Sequence, residues 1–153
     1  MNFCIIFFLS TAILSCDSPI KKNEIKGVWK SDDGAELALY NDGTYIAKNI
    51  NLYLLMDDPR FKNKIANLTG RWEIGETGNQ RRQTVELSSN SSFKDLNLQN
   101  TYIDKNGLEQ SYKIHCTLII STTGVFGLKN SYILYNHIGD PDEMMSYSFK
   151  RSN

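Results

Sequence analysis

Ala35-Glu36-Leu37-Ala38-Leu39-Tyr40, followed by the turn Asn41-Asp42-Gly43 and then Thr44-Tyr45-Ile46-Ala47-Lys48, is the stretch that decides the fold class. Two runs with alternating side-chain character flank an Asp-Gly turn, and this combination is the strongest short-range signal for a β-hairpin. The sequence therefore predicts two antiparallel strands joined by a tight turn.

The same alternation recurs along the rest of the chain. It predicts further strands at 70–74, 84–88, 112–120, 131–138 and 146–151. The clearest alternation is in 112–120, where one face would carry Tyr112, Ile114, Cys116, Leu118 and Ile120. The last two strands are joined across 139–142, where Asp140 and Pro141 suit a type I turn.

The strand count and the chain length together predict a single β domain. The chain has 153 residues, of which 41% are apolar and 22% are charged, and this is enough for one hydrophobic core. Eight or nine sequential antiparallel strands with short turns close most economically as a small barrel, because closure removes exposed edges. The predicted fold is all-β, a small antiparallel β-barrel with one short capping helix. A two-sheet β-sandwich is the alternative.

One segment, residues 50–68, breaks the strand pattern. Its first part is apolar, and Asp58 then precedes Pro59 in the arrangement of a helix cap followed by a proline at the first helical position. Phe61 and Ile65 are four residues apart and would share one face of a short helix. We expect this segment to cap one end of the sheet with apolar side chains.

Charge counts argue against nucleic acid as a partner. Seventeen Lys and Arg residues balance 17 Asp and Glu residues, and the isoelectric point is about 6.7. A neutral chain is not drawn to a polyanion. The basic residues in the middle of the chain and the acidic run 140–143 suit contacts with another protein. The basic set is Lys62, Lys64, Arg71, Arg81 and Arg82.

The N-terminal stretch has the pattern of a targeting segment. Every Asp, Glu, Lys and Arg lies after position 16, and residues 3–14 form an apolar run. As a helix this run would measure roughly 18 Å, which is too short for a hydrocarbon core of about 30 Å. We therefore interpret residues 1–15 as a signal peptide.

The residues that follow, Ile13-Leu14-Ser15-Cys16, resemble the lipobox of bacterial lipoproteins. The resemblance implies that Cys16 is alkylated with diacylglycerol, becomes the first mature residue and holds the protein in the bacterial cell envelope, facing the periplasm or the surface. On this interpretation 16–25 are the lipidated cysteine and its tether, and 26–153 form the barrel domain. An ordinary signal peptide, with a Cys16 to Cys116 disulfide, is the alternative.

A second resemblance is carried by Gly27-Val28-Trp29. Lipocalin-like β-barrels have a G-x-W on the first strand, and its tryptophan closes the barrel floor under a basic residue of the last strand. That residue would be Lys150 or Arg151 here. The motif recurs as Gly70-Arg71-Trp72, and the whole arrangement is similar to small secreted or lipid-anchored bacterial domains of uncharacterised function. Unlike true lipocalins, the chain has no obvious C-terminal helix and contains the segment 50–68, so the resemblance does not imply a deep ligand cavity.

The residues that could support catalysis or metal binding are few. His115 and Cys116 are neighbours on a predicted strand, so they point to opposite faces and cannot act as a nucleophile and base pair. His115 and His137 together supply only two imidazoles, which make a poor zinc site. We expect Cys116 to be a core residue, and we expect no catalytic residue, metal or cofactor.

Three acidic clusters are explained by turns and helix caps. They lie at 32–33, 57–58 and 140–143. The last contains three carboxyl groups, Asp140, Asp142 and Glu143, and it carries the alternative hypothesis of a carboxylate hydrolase.

The functional hypothesis is a non-enzymatic binding module, anchored by its lipid, that takes either an envelope protein or a small apolar ligand. The chain has eight tyrosines, including Tyr102, that could line a recognition surface, because tyrosine brings a large contact area at low entropy cost. Tyr53, Tyr132 and Tyr135 are the candidate binding residues. An apolar ligand predicts an empty pocket under 50–68, and a protein partner predicts a filled barrel. An immunity protein and a purely structural envelope protein are further alternatives.

Overall fold

The structure is a computed structural model, and it describes residues 19–78, 82–98, 101–123, 131–140, 142 and 145–152. Residues 1–18, which include the predicted signal peptide and Cys16, lie outside the described residues, as do Arg81, Pro141 and Glu143.

The described chain is built mainly from strands. In chain order the elements are helix α1 (Lys22–Ile25), β1 (Gly27–Ser31), β2 (Glu36–Leu39), β3 (Thr44–Asn51), helix α2 (Leu52–Met56), a 3-10 turn (Pro59–Phe61), β4 (Ile65–Thr77), β5 (Arg82–Ser92), a 3-10 turn (Lys94–Leu96), β6 (Thr101–Ile103), β7 (Glu109–Ser111), β8 (Lys113–Thr123), β9 (Ser131–His137) and β10 (Ser146–Arg151).

Eight of the strands close into an antiparallel barrel in the order β1-β2-β3-β4-β5-β8-β9-β10, with β10 returning to β1. The prediction of a small β-barrel is confirmed, and the sandwich alternative is wrong. The turn at 41–43 joins β2 to β3 as the sequence predicts, and Gly43 supplies the positive φ of +82° that this turn requires. The hydroxyl of Thr44 donates to Asp42, which holds the pKa of that carboxyl below its ordinary value.

The barrel has two ends, which we name after the helices on them. The α1 end contains the turn 40–43, the junction of β4 with β5, the junction of β8 with β9 and the end of β10. The α2 end contains the turn 32–35, the segment 52–64, and the described residues of the excursion 93–112 and of the connection from β9 to β10. The chain therefore enters the barrel at one end and places its longer connections at the other.

Helix α1 lies within the stretch predicted as a tether, and it packs into the barrel. Ile25 is fully buried, and Trp29 Nε1 donates to its carbonyl oxygen at 2.9 Å. Before the helix, Gln83 holds the backbone of Ile20 with two hydrogen bonds, of 2.7 and 3.3 Å. The folded part thus begins before the predicted boundary at residue 26, because a buried isoleucine draws the preceding turn of helix into the core.

The capping segment is shorter than the predicted 50–68: residues 52–64 cover the α2 end, whereas 50–51 belong to β3 and 65–68 belong to β4. Leu52 and Leu55 of α2 are buried, and Phe61 stacks on Phe93 with ring centroids 5.2 Å apart. The predicted pairing of Phe61 with Ile65 on one helix face is wrong. Ile65 starts β4 and is 60% exposed, since the helical segment ends before it.

Strands β6 and β7 form a separate two-stranded sheet that leaves the barrel between β5 and β8. The excursion starts and ends side by side, because Ser92 pairs with Lys113 and Phe93 N donates to the Tyr112 carbonyl at 3.0 Å. Tyr112 was predicted on the buried face of β8. That prediction is wrong, because the barrel strand begins at Lys113 and the tyrosine is 49% exposed on the hairpin side.

Helices α1 and α2 are one to two turns long. Within the part of the chain that the structure describes, no helix has the length and apolarity needed to cross a bilayer.

Candidate functional site

The floor of the barrel is formed by Trp29, whose side chain is fully buried at the α1 end. The guanidinium of Arg151 lies over the indole at 5.6 Å from its centroid and donates to the Lys26 carbonyl. The residue opposite the tryptophan is thus Arg151. Lys150 points to solvent, where its ammonium lies 3.3 Å from Asp32. The contact of the Arg151 guanidinium with the indole and its hydrogen bond to the Lys26 carbonyl therefore hold β10 against β1.

The tryptophan of the second G-x-W motif, Trp72, also lies at the α1 end and also contacts a basic side chain. Trp72 Nε1 donates to the Tyr40 carbonyl at 2.9 Å, and the ammonium of Lys22 sits 4.8 Å from the indole centroid. Gly70 is needed for a different reason: a Cβ at this position would lie 2.0 Å from the carbonyl oxygen of Ser88 on β5. The motif therefore brings two strands close together.

Side chains fill the barrel interior. An eight-stranded barrel is just wide enough for its inward side chains to occupy the lumen. The inward positions carry large, almost fully buried residues that belong to one connected cluster, among them Trp29, Leu37, Tyr45, Leu68, Leu118, Leu134 and Phe149. This packing favours a partner that binds outside the barrel.

The three residues considered for nucleophilic or metal chemistry lie in different surroundings. Cys116 points inward and is buried, and burial raises the pKa of its thiol to about 12. His115 is exposed on the outer face, with Nδ1 3.0 Å from Ser88 Oγ. His137 packs edge-on against Tyr135. A thiol held neutral in an apolar core is a packing residue rather than a nucleophile.

The acidic clusters act as turn and cap residues where they are described. Asp33 accepts from Ser31 and from Ala35 N, and Asp58 accepts from Arg60 N at 3.0 Å. The Arg60 guanidinium also hydrogen-bonds Asp58, which lowers the pKa of that carboxyl.

Two of the three candidate hydrolase carboxylates, Asp140 and Asp142, lie after β9. Asp140 accepts from Asp142 N at 3.0 Å, and the third carboxylate, Glu143, lies outside the described residues. Among the residues that the structure describes, no group of three or more His, Cys, Asp or Glu side chains could hold a metal ion.

The predicted tyrosines do not form one surface. Tyr53 lies half-buried in α2 at one end of the barrel, whereas the hydroxyl of Tyr132 donates to Glu24 at the α1 end. Tyr135 is half-buried on the outer face of β9. The structure therefore gives no common site for these three residues.

A different apolar surface was missed by the sequence analysis. One face of the β6–β7 sheet carries three exposed side chains, Tyr102 (42% exposed), Leu108 (59%) and Tyr112 (49%), and the two tyrosine rings are 4.6 Å apart. We call these three residues the hairpin face. Ile103, 67% exposed, projects from the opposite side of the same sheet.

The turn that joins β6 to β7 is held by several hydrogen bonds. Asp104 accepts from Asn106 N and from Leu108 N, at 2.8 and 3.0 Å, and Asp104 N donates to the Leu108 carbonyl. In the sequence, only the turn residues Asp104 to Gly107 indicate this hairpin. The strands on either side are three residues long and have no buried face, so they show no apolar alternation.

The basic residues predicted to form one mildly basic region are divided between the ends. Arg71 and Arg82 lie at the α1 end, whereas Lys62 and Lys64 lie at the α2 end. Residues that are close in sequence are separated because β4 runs the full length of the barrel.

Comparison with protein-family models, with curated proteins and with solved structures finds no match to this chain.

Proposed function

We propose that the protein is a lipid-anchored, non-enzymatic binding module of the bacterial cell envelope, and that it takes an envelope protein as its partner on the hairpin face. The observation that carries this proposal is the exposure of Tyr102, Leu108 and Tyr112 on a sheet of only two strands.

A two-stranded hairpin is marginally stable by itself in water, and a large part of the apolar surface of these three side chains stays in contact with water. Tyrosine and leucine on such an element do supply contact area to a bound protein, and aromatic residues are enriched at the centres of protein interfaces. Each strand also has an edge that the described barrel does not pair, so a partner strand can add to the sheet.

The filled interior supports a protein partner over a small apolar ligand. A ligand pocket needs a concave volume, usually of several hundred Å³, lined by apolar groups. Here Tyr45, Leu134 and Phe149 belong to the core of the barrel and have almost no exposed surface. A partner therefore binds to side chains on the outer surface of the protein.

The sequence that is N-terminal to the folded domain supports a lipid anchor. The apolar run 3–14 and the lipobox-like residues 13–16 stand directly before the point at which the chain joins the α1 end. Two or three acyl chains, each contributing about 0.8 kcal/mol per buried CH₂, would make attachment effectively permanent.

Replacing Cys16 by serine is expected to abolish lipid attachment, because the hydroxyl does not replace the sulfur nucleophile. The wild-type protein should incorporate labelled palmitate and fractionate with membranes, and Cys16→Ser should do neither. Cys4→Ser is the matched control, since Cys4 lies in the segment that is cut away, and it should be labelled like the wild type. An unlabelled wild-type protein, or equal labelling of all three, would refute the anchor.

A photo-crosslinking amino acid at Leu108 is expected to give one dominant protein adduct in cells. The same amino acid at Ile65, which is exposed to a similar degree on the barrel, is the control and should not give that adduct. The double variant Tyr102→Ser/Tyr112→Ser should reduce the Leu108 adduct at least tenfold, while the loss of the ring pair lowers the free energy of unfolding by about 1 to 2 kcal/mol and leaves the barrel folded. Equal adducts from Leu108 and Ile65 would contradict the proposal.

A further inference from the structure

Strand β6 has one edge that no other described strand pairs. Its sheet contains only β6 and β7, so β7 covers one edge of β6 and the other edge stays open. All three residues of β6, Thr101–Ile103, are exposed. Strand β7 is the one that contacts the rest of the chain, because Lys94 N donates to Ser111 Oγ at 3.0 Å. The open edge of the hairpin is therefore that of β6.

The ladder between β6 and β7 shows which backbone groups this edge presents. Asp104 N donates to the Leu108 carbonyl, so these two residues form a hydrogen-bonded pair. Hydrogen-bonded and non-hydrogen-bonded pairs alternate along an antiparallel ladder. The next hydrogen-bonded position of β6 is therefore Tyr102, and the N–H and C=O groups of Thr101 and Ile103 point away from β7. Within the described chain these groups have no hydrogen-bond partner.

The side chains of β6 are apolar on both faces of the sheet. Tyr102 belongs to the hairpin face, whereas Ile103 lies on the opposite face and is 67% exposed. A partner that covers only the hairpin face leaves Ile103 in water. A strand added beside β6 contacts both side chains, because its own successive residues point to opposite faces. Pairing at the edge thus accounts for Tyr102 and Ile103 together.

We propose that two copies of this chain pair antiparallel along the open edges of β6 and join their hairpins into one four-stranded sheet. A two-fold axis passes beside Tyr102, so that Thr101 of each copy lies opposite Ile103 of the other. Each of these pairs exchanges the N–H and C=O groups that the single chain leaves unpaired. The inference does not depend on the proposed function, because it uses the edge of β6.

A second copy fits this edge in its side chains as well as in its backbone. Tyr102 faces Tyr102 of the second copy in a non-hydrogen-bonded pair, which is the closer of the two kinds of pair. Aromatic pairs across strands stabilise a sheet, and the β-branched Thr101 and Ile103 suit its pleated surface. Strand β6 contains no charged residue, so like charges do not meet within the paired strands. The Asp104 carboxylate beyond it is held by two N–H groups of its own turn.

The joined sheet enlarges the hairpin face. Because the two-fold axis is perpendicular to the sheet, the hairpin faces of both copies lie on the same side and form one apolar surface. The contact between the copies is small, since three residues of strand bury far less than the roughly 1,200 Å² of a standard stable interface. The pair is therefore transient in dilute solution, and trapping is the way to detect it.

Disulfide trapping tests the register, with Tyr102→Cys in the full-length protein purified in detergent. In a non-hydrogen-bonded pair the two Cα atoms are about 4.5 Å apart, which a disulfide can span. Gln110→Cys is the control, because Gln110 lies opposite Tyr102 in the same hairpin. In the joined sheet its two copies are three strand spacings apart, about 14 Å, which is too far for a disulfide.

On oxidation we expect roughly tenfold more covalent dimer from Tyr102→Cys than from Gln110→Cys. Native Cys116 does not compete, because it is buried and its thiol stays protonated. The unsubstituted protein gives the background from the native cysteines. Equal yields from the two variants overturn the inference.

A proline at Ile103 tests the hydrogen bonds between the copies. Ile103→Pro removes an N–H that points to the second copy and leaves the hairpin ladder, which uses the N–H groups of Tyr102 and Asp104. In the Tyr102→Cys chain it should lower the yield of dimer roughly tenfold. Glu109→Pro is the matched control, because the N–H of Glu109 points to the outer edge of β7, and it should keep the dimer. Equal effects of the two prolines contradict the pairing.

Amide exchange in the unsubstituted protein gives a readout that needs no variant. Pairing protects the N–H of Ile103, so its exchange should slow as the protein concentration rises, while exchange at Glu109 stays constant. Exchange at Asp104 shows whether the hairpin survives in Ile103→Pro, and if it does not, the concentration series decides. Exchange at Ile103 that is independent of concentration overturns the inference. All these measurements use the purified protein alone, so a failure to find an envelope partner or a lipid does not change them.

Discussion

Gly70→Ala is expected to lower the free energy of unfolding by roughly 3 kcal/mol or more, which is a large part of the stability of a typical small domain. The added Cβ would stand 2.0 Å from the Ser88 carbonyl oxygen and 2.9 Å from Ser89 Cα. Both are backbone atoms, and they are held in place by the pairing of Gly70 with Ser89. Since no side chain can turn away, β4 and β5 would have to separate.

Urea unfolding followed by tryptophan fluorescence measures this loss. Gly34→Ala is the control. A Cβ at Gly34 meets nothing within 4 Å, although its φ of +88° makes alanine strained. It should cost only the backbone strain, about 1 kcal/mol. Equal losses at the two positions would show that the close approach of the strands has no special cost.

Trp29→Ala is expected to cost about 3 to 5 kcal/mol, because it empties the largest fully buried site at the barrel floor. The variant also removes the hydrogen bond from the indole to the Ile25 carbonyl and the ring beneath Arg151. Both contacts hold α1 and β10 to the floor, so the loss should be accompanied by faster amide exchange in α1, measured at Lys26, whose N–H donates to Lys22.

Trp29→Phe separates the two effects. Phenylalanine retains much of the buried area but cannot donate to Ile25, so we expect a smaller loss of stability together with the faster exchange at Lys26. An exchange rate at Lys26 that is unchanged in both variants would mean that Trp29 does not hold α1.

The barrel was predictable because its strands bury one face and expose the other. Residues 35–48 show this directly, since Leu37 and Tyr45 are buried while Glu36 and Lys48 reach solvent. The turn between them follows from Gly43, whose positive φ few other residues tolerate. Where a strand buries one face, the alternation of apolar and polar side chains in its sequence is enough to predict it.

The same signal fails where a strand has no buried face. Strands β6 and β7 expose both sides, so their sequences carry no alternation. Tyr112 continues the apolar period of β8 but lies beyond the point where that strand joins the barrel. Ile65 was assigned to a helix because periodicity over one turn does not distinguish a helix from the start of a strand.

The candidate site was less predictable than the fold. Residue type alone selected Tyr53, Tyr132 and Tyr135, whereas the hairpin face is defined by exposure, which depends on the packing of the whole chain. The separation of Arg71 from Lys62 likewise depends on the direction of β4. The hairpin face and the separation of these basic residues both follow from the strand order and direction. Alternation of side chains along the sequence does not reveal either of these.

The side-by-side start and finish of the excursion 93–112 has a consequence for how such a protein diversifies. Because Ser92 and Lys113 are already neighbours in the barrel ladder, the portion beyond Leu98, the last residue of this stretch that packs against the core, can be shortened, lengthened or transplanted without disturbing the strands that support it. One scaffold could then display interchangeable recognition loops, and relatives with new specificities would differ mainly in this insert.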